Sequence, residues 1–166
     1  MSPAINMKSL VIVGFGSSSQ SLRARTFDPI EKEAAEEFPD RTICRGFIGK
    51  EVLERILSRG IEAQSLEEAL EDCISKGSED IAVMPALPIA GNQFRQIQRI
   101  CETYSDRIPD LRLCGPLLCS RRSAMKFLGT LPQVFPEAFS EGCGLAMMGH
   151  GRGSEADGNL SEILGV

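Results

Sequence analysis

Four apolar residues in a row, Leu10-Val11-Ile12-Val13, are too few for a helix and are closed by the run Gly14-Phe15-Gly16-Ser17-Ser18-Ser19. The β-branching and the abrupt stop predict a buried strand over 10–13 that feeds a loop. Beyond the loop, Asp28 can cap a helix with Pro29 in its first position. Ile30, Ala34 and Phe38 then recur at i, i+4, i+8 until Pro39, so the expectation is a helix over about 29–38. Residues 42–48 are β-rich, and Val52, Leu53, Ile56 and Leu57 repeat at helical spacing up to Gly60.

Ser65 and Glu68 form a capping-box pattern ahead of Leu66, Ala69, Leu70, Cys73 and Ile74, with Gly77 placed to end that helix. Ile81-Ala82-Val83-Met84 is another short apolar run; Pro85 and Pro88 cannot donate to a ladder, so the strand should finish near Met84 and pass into a shaped loop. Asn92 is expected to cap the next helix, whose inner face is Phe94, Ile97, Ile100, Cys101 and Tyr104. A fourth strand over 111–114 exits through Pro116-Leu117-Leu118, and Ala124, Met125, Leu128 and Leu131 mark a further helix. Residues 144–148, Gly-Leu-Ala-Met-Met, read as a fifth strand.

Strands that alternate with helices imply an α/β fold: a parallel sheet with helices on both faces, here with expected order 2-1-3-4. Ligands of such sheets sit beyond the carboxyl ends of the strands, which singles out the loops at 14–19, 85–92, 116–120 and 149–154. The plan of the first strand and its loop recurs at Leu145-Ala146-Met147-Met148-Gly149-His150-Gly151-Arg152-Gly153-Ser154: apolar run, Gly, ring, Gly, polar, small, Ser. Either two glycine-rich strand exits coincide, or a second β-α unit begins here. The second reading divides the chain into a first α/β domain over 1–142 and the uncompleted beginning of a second half over 143–166.

The 166 residues suit one ordinary domain. A net charge of -5 argues against a sequence-independent grip on nucleic acid or anionic lipid. The absence of Trp and a single Tyr weaken base stacking further. The longest apolar stretch is far below the roughly 20 residues of a membrane span, and the first residues lack the features of a signal peptide; the expectation is a cytoplasmic protein without membrane contact. Six cysteines are scattered without a C-x-x-C pair and read as small core hydrophobes.

His150, the single histidine, lies between two glycines at an expected strand end. Its flanks let a ligand approach closely, and a neutral imidazole can hold a divalent metal or accept a proton near pH 7; a structural or solvated histidine is the plainer alternative. The loop from Gly14 to Ser19 is a weak phosphate-cradle candidate, because Ser19 stands where a third glycine would be and no Gly-Lys-Ser/Thr follows. Arg121 and Arg122 can meet a substrate carboxylate or lie at an exposed helix start. Carboxylates crowd 31–37 and 67–72 on outward helical faces.

Several segments in order resemble the anaerobic cobaltochelatases of the CbiK type, which insert Co2+ into sirohydrochlorin or precorrin-2 in cobalamin biosynthesis. They are Val13-Gly14-Phe15-Gly16-Ser17-Ser18; Phe38-Pro39-Asp40-Arg41 with Arg45 and Phe47; Asp80-Ile81-Ala82-Val83 leading to Leu87-Pro88-Ile89-Ala90-Gly91-Asn92; Gly115-Pro116-Leu117-Leu118; and Met148-Gly149-His150-Gly151. The resemblance implies two similar α/β halves facing each other across a cleft. It implies His150 as metal ligand and proton acceptor, and Gly16, Ser17, Ser18, Leu87, Pro88, Pro116, Leu117 and Leu118 as substrate-binding positions. Pro88 stands where relatives often carry a histidine. The implied partners are a tetrapyrrole, a divalent metal as substrate, and a second copy or a missing second half; no organic cofactor is implied. Alternatives are a non-catalytic tetrapyrrole-binding or assembly module and, behind it, a nucleotide-binding domain. Ligand type does not decide among Co2+, Ni2+ and Fe2+.

Overall fold

The apolar run at 10–13 lies inside strand β1 (Met7–Gly14), and the later runs lie inside β2 (Arg41–Phe47), β3 (Ser78–Pro85) and β4 (Asp110–Leu113). The computed structural model describes residues 7–17 and 19–146. Every strand pair is parallel and the order is β2-β1-β3-β4, as the alternation of elements predicts. Parallel neighbours need crossovers. Helix α1 (Gln20–Glu37) links β1 to β2, α2 (Lys50–Leu57) and α3 (Leu66–Ser75) link β2 to β3, and α4 (Asn92–Tyr104) links β3 to β4. Helix α5 (Arg121–Val134) and a 3-10 turn (Pro136–Phe139) follow.

Alternation along β1 sends Val11 and Val13 to one face of the sheet and Leu10 and Ile12 to the other. The first face is closed: Leu66, Leu70 and Ile97 of α3 and α4 meet Val11, Val13, Ile81 and Val83, all at 0% exposure. On the second face Phe27, Ala34 and Ile56 of α1 and α2 cover Leu10 and Ile12. This cover thins over β3, where Ala82 and Met84 are only partly buried.

Helix α1 begins at Gln20, well before the Asp28-Pro29 start that the sequence suggests. Ser19 caps it, its side chain accepting from the Leu22 N–H. Pro29 sits inside the helix, where its missing N–H removes one backbone bond. The inward positions are Arg23, Phe27 and Ala34, whereas Ile30 and Phe38, expected on the inner face, are exposed. The capping box at Ser65 and Glu68 is present as expected, and Gly77, at φ +81°, follows the end of α3 in the left-handed conformation. Gly91, not Asn92, is the cap residue of α4. The expected strand at 144–148 is not formed over 144–146, and Met147 and Met148 lie outside the described residues.

At the amino edge of the sheet one buried carboxylate ties the strands together. Arg41 of β2 donates to the Ser9 carbonyl of β1 and grips Asp80 of β3 at 2.9 and 2.8 Å, and Arg112 of β4 donates to the same carboxylate. The Arg41 guanidinium holds the Asp80 carboxyl below its ordinary pKa.

Candidate functional site

At the carboxyl edge the strand exits are pinned to one another. The Ile48 N–H donates to the Gly14 carbonyl at 3.1 Å, and the Ala86 N–H to the Val13 carbonyl at 2.7 Å. The Cys114 N–H donates to the Val83 carbonyl at 2.9 Å. Beyond these anchors the β3 and β4 exit loops zip together: Leu117 N–H to Leu87 carbonyl at 3.0 Å, and Leu118 N–H to Pro88 carbonyl at 2.8 Å. Five expected substrate positions, Leu87, Pro88, Pro116, Leu117 and Leu118, thus form one unit. Leu87 and Pro116 are buried within it, while Pro88 and Leu117 face outward.

This unit borders an apolar cleft of about 470 Å³ whose walls include Ile30 of α1, Met84 and Ala86 at the end of β3, and Leu87, Pro88 and Leu117. A second hollow of about 550 Å³ shares Ile30 and Met84 and continues along α1 past Ala34 to Phe38. Both lie between α1 and the partly covered face of β3. Ile30 and Met84 belong to this cleft although the sequence marks them only as core. Their signal is two-sided: each stands in an apolar pattern, and only the position of α1 across the sheet leaves them uncovered.

Gly16 and Ser17 lie apart from that cleft, on the β2 side. Gly16 has φ +94°, and a Cβ there would stand 2.9 Å from the Phe47 ring, so both conformation and space demand glycine. Buried Arg23 donates to the Ser17 carbonyl at 2.5 Å and fixes the loop. Arg23, Phe47 and Gln64 line a polar hollow of about 440 Å³ with Arg45. Arg45 forks onto Glu31, pairs with Asp28 at 2.6 Å and lies 5.3 Å over the Phe27 ring. The Glu31 carboxylate, foremost, keeps its guanidinium more firmly protonated than usual. This hollow offers a guanidinium and an amide group rather than an apolar wall.

Ser18 and His150 lie outside the described residues, as does Arg152. Arg121 is exposed in the first turn of α5. Among the described residues no three or more His, Cys, Asp or Glu side chains are grouped to hold a metal ion. No described helix is long and apolar enough to cross a membrane.

The chain has relatives among known proteins. The family model described as cobalt chelatase (CbiK) matches residues 8–165, from β1 through the Gly-His-Gly segment. The chain belongs to the CbiK family. A sirohydrochlorin cobaltochelatase of Salmonella typhimurium is 26% identical over 150 residues, covering 90% of this chain. The CbiK-family chain spans 56% of that relative's length. A solved CbiX structure from Marinobacter aquaeolei VT8, described as a cobalamin (vitamin B12) biosynthesis protein, superposes with a TM-score of 0.54 at 16% identity. The superposition covers 78% of this chain and 96% of that one and shows a shared α/β fold.

Proposed function

We propose that this CbiK-family chain acts as a sirohydrochlorin cobaltochelatase in the cytoplasm, inserting Co2+ into a tetrapyrrole on the anaerobic route to cobalamin. The observation that carries the reading is the apolar cleft at the carboxyl edge, where Leu87, Pro88 and Leu117 meet Ile30 and Met84. A macrocycle presents a broad apolar face with a carboxylate rim. An apolar wall buries the face, while loop N–H groups and Arg121 are donors for the rim.

Metallation removes the pyrrole N–H protons as the divalent ion enters, so a base beside a metal ligand serves both events. His150 takes that double role, supported by its place in the matched Gly-His-Gly segment. The opposite wall of the cleft comes from a second copy of the chain or from a second half. Sedimentation across a concentration series separates these: association favours the first, and a persistent monomer the second.

Spectral titration with sirohydrochlorin, with and without Co2+, tests the function. Metallation supports the chelatase, binding without metallation indicates a tetrapyrrole-binding module, and an unchanged spectrum removes both readings. In an active preparation, His150→Ala is expected to lower the metallation rate roughly 100-fold, the usual scale for loss of a general base. Unchanged metallation would assign that role elsewhere.

A further inference from the structure

Cys44 and Cys73 stand 29 positions apart in sequence, on β2 and α3, yet their sulfurs are 3.8 Å apart on the closed face of the sheet. Cys44 is half-buried on a strand at the edge of the sheet, while Cys73 is at 1% exposure. Their surroundings are polar on one side. Ser9 bonds Ser78 at 2.7 Å and reaches the Cys73 sulfur, and Lys76, paired with Asp72 at 2.5 Å, lies close enough to act on both sulfurs.

Cys101 differs in cause: burial in the same core pushes its thiol up to about 11, whereas the Cys44 and Cys73 shifts come first from the hydrogen bond between them. Cys114, Cys119 and Cys143 are exposed. We propose that Cys44 and Cys73 form an oxidisable dithiol that closes to an intramolecular disulfide on exposure to a hydroperoxide, joining β2 to α3.

The sulfurs must each move by about 1 Å to reach bonding distance, a small side-chain rotation. In the reaction with hydrogen peroxide, Cys44 passes its proton to the Cys73 sulfur across the hydrogen bond between them as its own sulfur attacks one peroxide oxygen; the O–O bond breaks, and Cys44 becomes a sulfenic acid as hydroxide leaves. The Cys73 sulfur then attacks the sulfenic sulfur and expels a second hydroxide. The two thiol protons convert the hydroxides to water, so two thiols and one peroxide give one disulfide and two waters. The hydrogen bond between the sulfurs draws Cys73 down to about 7 and pushes Cys44 up, so near neutral pH the pair holds a single thiolate, shared through that bond.

The test uses the reduced, full chain at low concentration, treated with hydrogen peroxide, alkylated and digested for mass spectrometry. The expected result is a Cys44–Cys73 cross-linked peptide that dithiothreitol reverses, with Cys101 recovered alkylated. The closed loop should raise Tm by about 5–10 °C relative to the reduced chain. Recovery of Cys44 and Cys73 as separate alkylated peptides, after the exposed cysteines have oxidised, would overturn the proposal. So would Cys44 recovered as sulfinic acid beside a free Cys73. These readouts need no substitution in the core, so they do not depend on a variant folding.

Discussion

The two faces of the sheet share the same strands and differ in what covers them. On the α3 and α4 face, Val11, Val13, Ile81 and Val83 are completely enclosed. On the α1 and α2 face, Leu10 and Ile12 are covered, but cover fails at β3, where Met84 and Ala86 line a cleft and Ile30 of α1 remains 37% exposed. Strand β3 is therefore core on one side and cleft wall on the other. The difference separates two roles: the enclosed face holds the fold, and the incompletely covered face leaves the apolar surface on which the proposed tetrapyrrole site rests.

The largest expected effect breaks the enclosed face. Leu70→Ala removes a side chain at 0% exposure and leaves a cavity between α3 and the sheet. It should cost about 3 kcal/mol in urea denaturation. Met84→Ala, on the cleft side of the same sheet, should cost about 1 kcal/mol, because its side chain is already partly in solvent. Equal costs would mean that the faces are not divided in this way.

A smaller effect, about 2 kcal/mol, is expected for Asp80→Asn at the amino edge, where the carboxylate is shared by Arg41 and Arg112. Because folding lowers the Asp80 pKa, its contribution is complete above the ordinary carboxylate pKa of about 4. It fades as pH falls from there through the lower folded value. Wild-type stability should consequently fall more steeply than that of Asp80→Asn below about pH 4. Parallel pH profiles would remove the clamp from the account. Tetrapyrrole binding should be unchanged by this substitution, since Asp80 lies at the opposite end of β3 from the cleft.

Sheet order and strand positions are legible in the sequence because short apolar runs such as Leu10 to Val13 must be buried on both sides, and crossover helices then restrict the topology. The family resemblance names Leu87, Pro88 and Leu117 as substrate positions, and the strand exits set them side by side along the apolar cleft. The start of α1 is hidden because Arg23 occupies an inward position that an apolar pattern does not flag, while Pro29 imitates a first-turn residue. The exposure of Ile30 and Phe38 depends on where α1 crosses the sheet, which periodicity within one helix does not encode. The Cys44–Cys73 approach is invisible for a related reason: it joins separate elements across 29 positions.

The smallest effect sharpens the comparison most, because it should alter the cleft and leave the fold alone. Leu117 is 50% exposed, and its structural bond to Leu87 runs through its backbone N–H, which Leu117→Asp retains. Stability should therefore stay within about 0.5 kcal/mol of wild type. The new carboxylate would replace apolar wall and oppose the carboxylate rim of the substrate. Sirohydrochlorin affinity should fall about tenfold, or about 1.4 kcal/mol. Leu57→Asp, at the end of α2, makes the same exchange at a residue 47% exposed that does not line the cleft. It should leave affinity unchanged. Equal weakening by both variants would trace the effect to net charge and release Leu117 from the binding wall.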